Sequence, residues 1–131
     1  MKCPSIDFRI NPRSGVPAYA QIKQQVIQAM RLGYLIPGDQ LPTVKEVVSH
    51  IAINPNTVFK AYRELESEGL VESRQGLGTF VMQTLASDSA ADIELIRGRF
   101  ETWLKEAREA GLALESIEAI IHSVLYQSAR L

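Results

Sequence analysis

The sequence predicts a mainly α-helical chain in two parts: three helices and a β-hairpin over residues 1–84, then a pair of helices over residues 85–131. Three observations predict it. Apolar residues recur at three- and four-residue steps in successive stretches, which is the helical period. Two of these stretches meet just before Asn54 with only a few residues between them, so their helices must cross steeply. Directly afterwards, two short β-rich runs flank Gln75-Gly76-Leu77-Gly78, which holds the glycines a hairpin turn needs.

The elements follow in order. Residues 6–17 alternate loosely at Ile6, Phe8 and Ile10, then break at Asn11-Pro12-Arg13-Ser14-Gly15, which predicts an extended, partly packed arm. Over residues 18–32, Tyr19, Ile22, Val26, Ala29 and Met30 repeat at helical spacing, and Gly33 ends the run. Pro37-Gly38-Asp39 reads as a tight turn. Thr43-Val44-Lys45-Glu46 fits a capping box, in which Thr and Glu satisfy each other's orphan backbone donors. The helix it opens has Val44, Val47, Val48 and Ile51 on its inner side and ends near residues 50–52.

Asn54 is a good N-cap for the third helix, and Pro55 suits the first helical position. Val58, Ala61, Tyr62 and Leu65 form its inward stripe, and Gly69 stops it. Asn56, Thr57, Lys60 and Arg63 then lie on or near the outer side, polar at the start and basic further along. Amide, hydroxyl and cationic groups so arranged suit base edges and phosphates in the major groove. Residues 70–74 and 79–82 make the hairpin, so three helices plus a wing give a winged helix-turn-helix. Residues 84–91 are small and polar and read as a linker. Ile93, Ile96, Phe100, Trp103, Leu104 and Ala107 predict a long helix over residues 89–110, broken at Gly111. Leu114, Ile117, Ile120, Ile121, Val124 and Leu125 predict the last.

Composition narrows the class. A chain of 131 residues with 46% apolar content can bury one core, or two small ones. Net charge is −1 overall, but residues 1–84 carry 9 Lys/Arg against 7 Asp/Glu and residues 85–131 carry 5 against 8. That asymmetry is modest, so a nucleic-acid reading has to stand on geometry and motif. Cys3 is the single cysteine, which precludes an intrachain disulfide and favours the cytoplasm. No apolar h-region follows Lys2, and no run approaches the ~20 residues that span a bilayer, so no membrane partner is expected.

Residues 6–82 resemble the DNA-binding headpiece of the GntR family of bacterial transcription regulators. The resemblance rests on Gly15-Val16-Pro17-Ala18-Tyr19-Ala20-Gln21-Ile22, then the run from Gly33 to Thr43, then Asn54-Pro55-Asn56-Thr57-Val58 with Ala61-Tyr62-Arg63-Glu64-Leu65-Glu66. It closes with Glu68-Gly69-Leu70-Val71 and Gly76-Leu77-Gly78-Thr79-Phe80-Val81. The short tail resembles that of the YtrA-like subfamily. The resemblance implies a winged helix-turn-helix followed by a two-helix dimerisation tail. It also implies a repressor that binds a palindromic operator in double-stranded DNA as a homodimer and controls a nearby transporter or stress operon.

The DNA-binding residues expected on these grounds are Thr43, Lys45, Asn54, Asn56, Thr57, Lys60, Arg63, Arg74, Gln75 and Gly76. Lys45 stands where relatives commonly have Arg, and so offers a phosphate a point charge rather than a fork. Leu77 stands where many relatives have Lys. Phe59 stands where relatives are often polar or basic, and packing beside the second helix is expected over contact with a thymine methyl. The dimerisation residues expected are Ile96, Phe100, Trp103, Leu104, Ile117, Ile121, Val124 and Leu125. Two tail helices cannot readily wrap a pocket of ~300–1,000 Å³ alone, so a small effector would sit between subunits, at the dimer interface, or between tail and headpiece.

An enzyme is the competing class. The same headpiece resembles that of fused aminotransferase-like regulators, but these carry a long catalytic domain. His50, His122 and Cys3 lack metal-ligand spacing, and no G-x-S-x-G motif occurs. No cofactor is expected. His50, at a helix end, reads as a solvated or capping residue. A winged-helix module used for protein contact is the third reading, separable by DNA binding at several salt concentrations.

Overall fold

The structure, a computed structural model, is described over residues 6–129. Cys3 therefore lies outside the described residues. Its elements run α1 (Ala18–Arg31), α2 (Val44–His50), α3 (Pro55–Ser67), β1 (Val71–Arg74), β2 (Gly78–Val81), α4 (Ala90–Glu109) and α5 (Leu114–Ala129). The chain divides into two compact units, Met1–Asp88 and Ser89–Leu131. Leu85, beyond the expected linker start, packs against the core of the first unit.

In the first unit α3 is central, contacting α1, α2 and β1. Its buried residues are the four of the sequence stripe, Val58, Ala61, Tyr62 and Leu65. They close a core with Phe8 of the arm, Ile22, Val26 and Met30 of α1, Leu35, Leu41, Val47 of α2, and Leu70, Val71 and Val81 of the hairpin. Each large member of such a core contributes about 1.5–3 kcal/mol when fully buried, which offsets the conformational entropy lost in ordering α3.

Local chemistry sets the helix starts. Thr43 Oγ1 accepts from the Glu46 N–H at 3.1 Å, and the Thr43 N–H donates to Glu46 Oε1 at 2.9 Å, completing the capping box. Donation from the Thr43 backbone N–H, with the Thr43 hydroxyl second, holds the Glu46 carboxyl below the usual carboxylate range. Asn54 Oδ1 accepts from the Asn56 N–H at 2.8 Å, with Pro55 in the first turn. The sequence marks Pro37-Gly38-Asp39 as a tight turn only. In the structure that turn leads into a short extended pairing with β2. Gly38 N–H donates to Val81 O, Leu41 N–H to Thr79 O and Val81 N–H to Asp39 O, each at 2.8 Å. The hairpin register is Val71↔Val81, Glu72↔Phe80, Ser73↔Thr79 and Arg74↔Gly78.

The loop before α1 is organised by a side chain that periodicity does not mark. Gln21 is buried, and its Nε2 donates to Asn11 O, Ser14 Oγ and Val16 O, while its Oε1 accepts from the Asn11 N–H. Lys23 bridges α1 to the end of α3 through Glu64 and Glu68, and those carboxylates raise its pKa.

Tyr62 ties the α3 core to the entry of α2, its hydroxyl donating to Pro42 O at 2.7 Å. Burial, with the Glu46 charge second, pushes its phenol well above the ordinary tyrosine range. The folded state therefore keeps the proton longer than the unfolded chain does. This contribution to stability is whole below pH ~10 and is lost as pH rises beyond it. Tyr62→Phe is expected to cost ~1 kcal/mol at neutral pH through the lost hydrogen bond. It should also show a shallower alkaline decline than the wild type. Urea denaturation at neutral pH and above pH ~10 checks both, with the Lys23 pair common to the two proteins.

In the second unit, Ser89 Oγ caps α4 by accepting from the Asp92 N–H at 3.0 Å. The helix closes at Ala110 and Gly111, where the Leu112 N–H reaches Ala107 O. Ala107 and Ile117 are its buried residues among those described. No helix of the described residues is long and apolar enough to cross a membrane.

Candidate nucleic-acid interface

The outer face of α3, the start of α2 and the wing enclose a groove of about 540 Å³. Six of the ten residues expected to meet DNA line it: Thr43, Lys45, Arg63, Arg74, Gln75 and Gly76. Lys45 and Arg63 are exposed. Arg74 is held, with its Nε donating to Glu72 Oε2 at 2.8 Å and its guanidinium 4.7 Å from the Phe80 ring centre. An exposed pair of this kind adds at most ~1 kcal/mol of stability, but it aims the cation. Glu66 also lines the groove, and its Oε2 accepts the Ser73 N–H at 2.9 Å, joining the end of α3 to β1.

The other four lie outside the groove lining. Asn54 and Asn56 are exposed at the start of α3, and Thr57 is half-buried beside them. Asn54 spends its side-chain oxygen on the helix cap, which leaves its NH₂ as the group for a ligand. Lys60 stays on the outer side, with its ammonium 4.0 Å above the ring centre of Tyr19 in α1. Asn54→Ala is accordingly expected to cost ~1 kcal/mol of stability, whereas Asn56→Ala, whose side chain supports no bond of the fold, should leave the melting temperature unchanged. Asn56→Ala should instead weaken binding to a selected duplex by ~1–3 kcal/mol and relax preference at one base pair. Thermal melts and titrations against selected and random duplexes separate the two; Asn56→Ala affinity unchanged from the wild type on both duplexes would remove it from the interface.

The wing is shaped by backbone geometry. The Leu77 N–H donates to Arg74 O at 2.9 Å, closing a turn in which Gly76 has φ +78°. Gly78 has φ +130°, and a Cβ there would collide with the Gln40 amide. Gln40 in turn donates to Leu77 O at 3.0 Å and so braces the wing tip. Nothing in the local sequence marks Gln40, because its partner lies across the fold.

Phe59 meets expectation in part. It lines the groove with Val44 and Lys45 of α2, but it is 47% exposed rather than packed away. At 100° per residue it falls to the side of the buried stripe. Leu77 is likewise exposed at the wing tip.

The tail residues divide. Ile96, Phe100, Val124 and Leu125 are exposed, while Trp103, Leu104 and Ile121 are half-buried. Phe100 and Trp103 stack with ring centres 5.7 Å apart. Ile117, expected at an interface between subunits, is instead 2% exposed within the single chain. The helical repeat marks an apolar stripe but does not say which members the chain covers itself.

His50 Nδ1 lies 2.9 Å from Glu46 O, in keeping with a helix-end role. Among the described residues no group of His, Cys, Asp and Glu could hold a metal ion.

Comparison with known proteins places this geometry. The family described as "Bacterial regulatory proteins, gntR family" matches residues 18–81. The "HTH-type transcriptional repressor YtrA" of Bacillus subtilis is 37% identical over 118 residues, covering 89% of this chain and 91% of its own. Among solved structures, "YtrA from Sulfolobus acidocaldarius, a GntR-family transcription factor" aligns with a TM-score of 0.52 at 28% identity over 91% of this chain and 97% of that one. AraR(DBD) in complex with operator ORX1 aligns with a TM-score of 0.50 at 35% identity, over 56% of this chain and 90% of that one.

Proposed function

This chain belongs to the gntR family of bacterial regulatory proteins, and on that premise we propose that it represses transcription by binding a palindromic operator in double-stranded DNA as a homodimer. The family and the relatives are regulators of transcription and not enzymes. The observation that carries the proposal is the groove in which Lys45, Arg63 and Arg74 surround the outer face of α3 beside an exposed wing. In this arrangement α3 enters the major groove with Asn56 and its neighbours toward base edges, while Lys45 and Arg74 meet phosphates. Gly76 at the wing tip brings backbone close to the duplex without a side chain in the way.

The apolar residues exposed on α4 and α5 support the homodimer, since a two-fold pair buries the same patch on both copies. Two recognition helices would then read half-sites one helical turn apart, ~34–36 Å. In this reading a small effector binds between subunits, the regulated genes form a nearby transporter or stress operon, and the protein works in the cytoplasm beside its DNA.

Selection of duplexes from a random-sequence pool by the full-length chain tests the proposal. Enrichment of an inverted repeat is the expected result. A pool that stays random after repeated rounds would overturn it.

A further inference from the structure

Phe59 is the large apolar side chain that the outer part of α3 leaves in water. It lines the same groove as Lys45 and Arg63 and stands three residues after Asn56. Residues three apart are neighbours on a helix surface, so an amide and a phenyl ring sit side by side near the start of α3. Protein neighbours leave Phe59 47% exposed, and an aromatic side chain so placed gains once apolar surface covers it.

We propose that Phe59 is a specificity-determining residue that recognises the 5-methyl group of a thymine in the major groove of the operator. The inference rests on the DNA-binding reading above and deepens it. A phenyl ring has no donor or acceptor. Against guanine, adenine or cytosine it would strip water from N7, O6 or amino groups without replacing the lost hydrogen bonds. The thymine methyl is the one apolar group that a major-groove base edge presents. The position of Phe59 also fits, because the N-terminal turns of a recognition helix are those that reach base edges. Asn56 beside it has the geometry to bind adenine N6 and N7. The pair therefore selects an A·T-containing step, with Lys45 and Arg63 supplying charge at its flanks.

The test uses full-length protein and duplexes selected from the random pool. Replacing each thymine in turn by deoxyuridine removes one methyl group and keeps the base pairing. The wild type is expected to lose about fourfold in affinity at one position per half-site, the worth of one buried methyl group. Phe59→Ala should bind the thymine and uracil duplexes equally. Repeating the selection with Phe59→Gln should move the preferred base at that position from thymine to adenine, which a glutamine amide can bind. Wild-type binding that ignores every uracil would overturn the inference and leave the DNA-binding reading standing. So would uracil sensitivity retained by Phe59→Ala, or an unchanged sequence selected by Phe59→Gln. A wild-type chain that enriches no duplex overturns both.

Discussion

A chain ending at Asp88 is expected to remain folded, to be monomeric, and to bind its operator about 10²–10⁴-fold more weakly than the full chain. The first unit has its own core, running from Phe8 through α3 to Val81 and Leu85, and every member of that core lies before α4. The tail leaves Ile96 58%, Val124 54% and Leu125 60% exposed, which is unfavourable for an isolated copy and is relieved by a second one. Joining two headpieces makes the second binding event intramolecular, so affinity depends on the tail although no tail residue need touch DNA. Light scattering and fluorescence anisotropy on both chains check this. A monomeric full-length chain, or a truncated chain binding as tightly as the intact one, would contradict it.

Gly76→Val is expected to lower operator affinity at least tenfold while the melting temperature falls by only a few degrees. The residue sits at φ +78°, and a Cβ built there meets nothing within 4 Å. The cost is therefore backbone strain, ~1–2 kcal/mol or more for a β-branched residue. That strain is relieved by moving the turn that carries Gln75 and Leu77. Gly76→Asn, which tolerates this conformation, should keep the hairpin and lose affinity only through its added side chain. Anisotropy titrations with thermal melts rank the three proteins. Full-strength binding by a folded Gly76→Val would remove the wing from the interface.

The α3 region shows what was legible and why. Asn54, Pro55 and the four-residue stripe encode a cap, a first turn and a buried face through interactions within a few residues, and all appear as read. The capping box of Thr43 and Glu46 is equally local. What the sequence did not display are partnerships across the fold. The position of Lys60 over Tyr19, the hold of Gln21 on the 11–16 loop and the brace from Gln40 to the wing each join residues far apart in the chain. Exposure was hidden for the same reason. Whether Phe59 and Ile117 are covered depends on how far neighbouring elements reach over the edge of each stripe, which leaves Phe59 47% and Ile117 2% exposed. Among the expected DNA-binding residues, the groove unites those from α2, the later turns of α3 and the wing; Asn54, Asn56, Thr57 and Lys60 stand apart at the start or flank of the helix.

The most direct test of the central claim is the affinity of the full-length chain for its selected duplex, and for a scrambled one, across a series of salt concentrations. Phosphate contacts release counterions, so log affinity should fall linearly with log salt, with a slope of about −0.9 for each phosphate neutralised. Neutralising Lys45 or Arg74 should make the slope shallower by about one on both duplexes. The selected duplex should stay at least about 10³-fold tighter than the scrambled one throughout. Equal affinity for the two duplexes, or binding indifferent to salt, would contradict the assignment of this groove to sequence-specific DNA recognition.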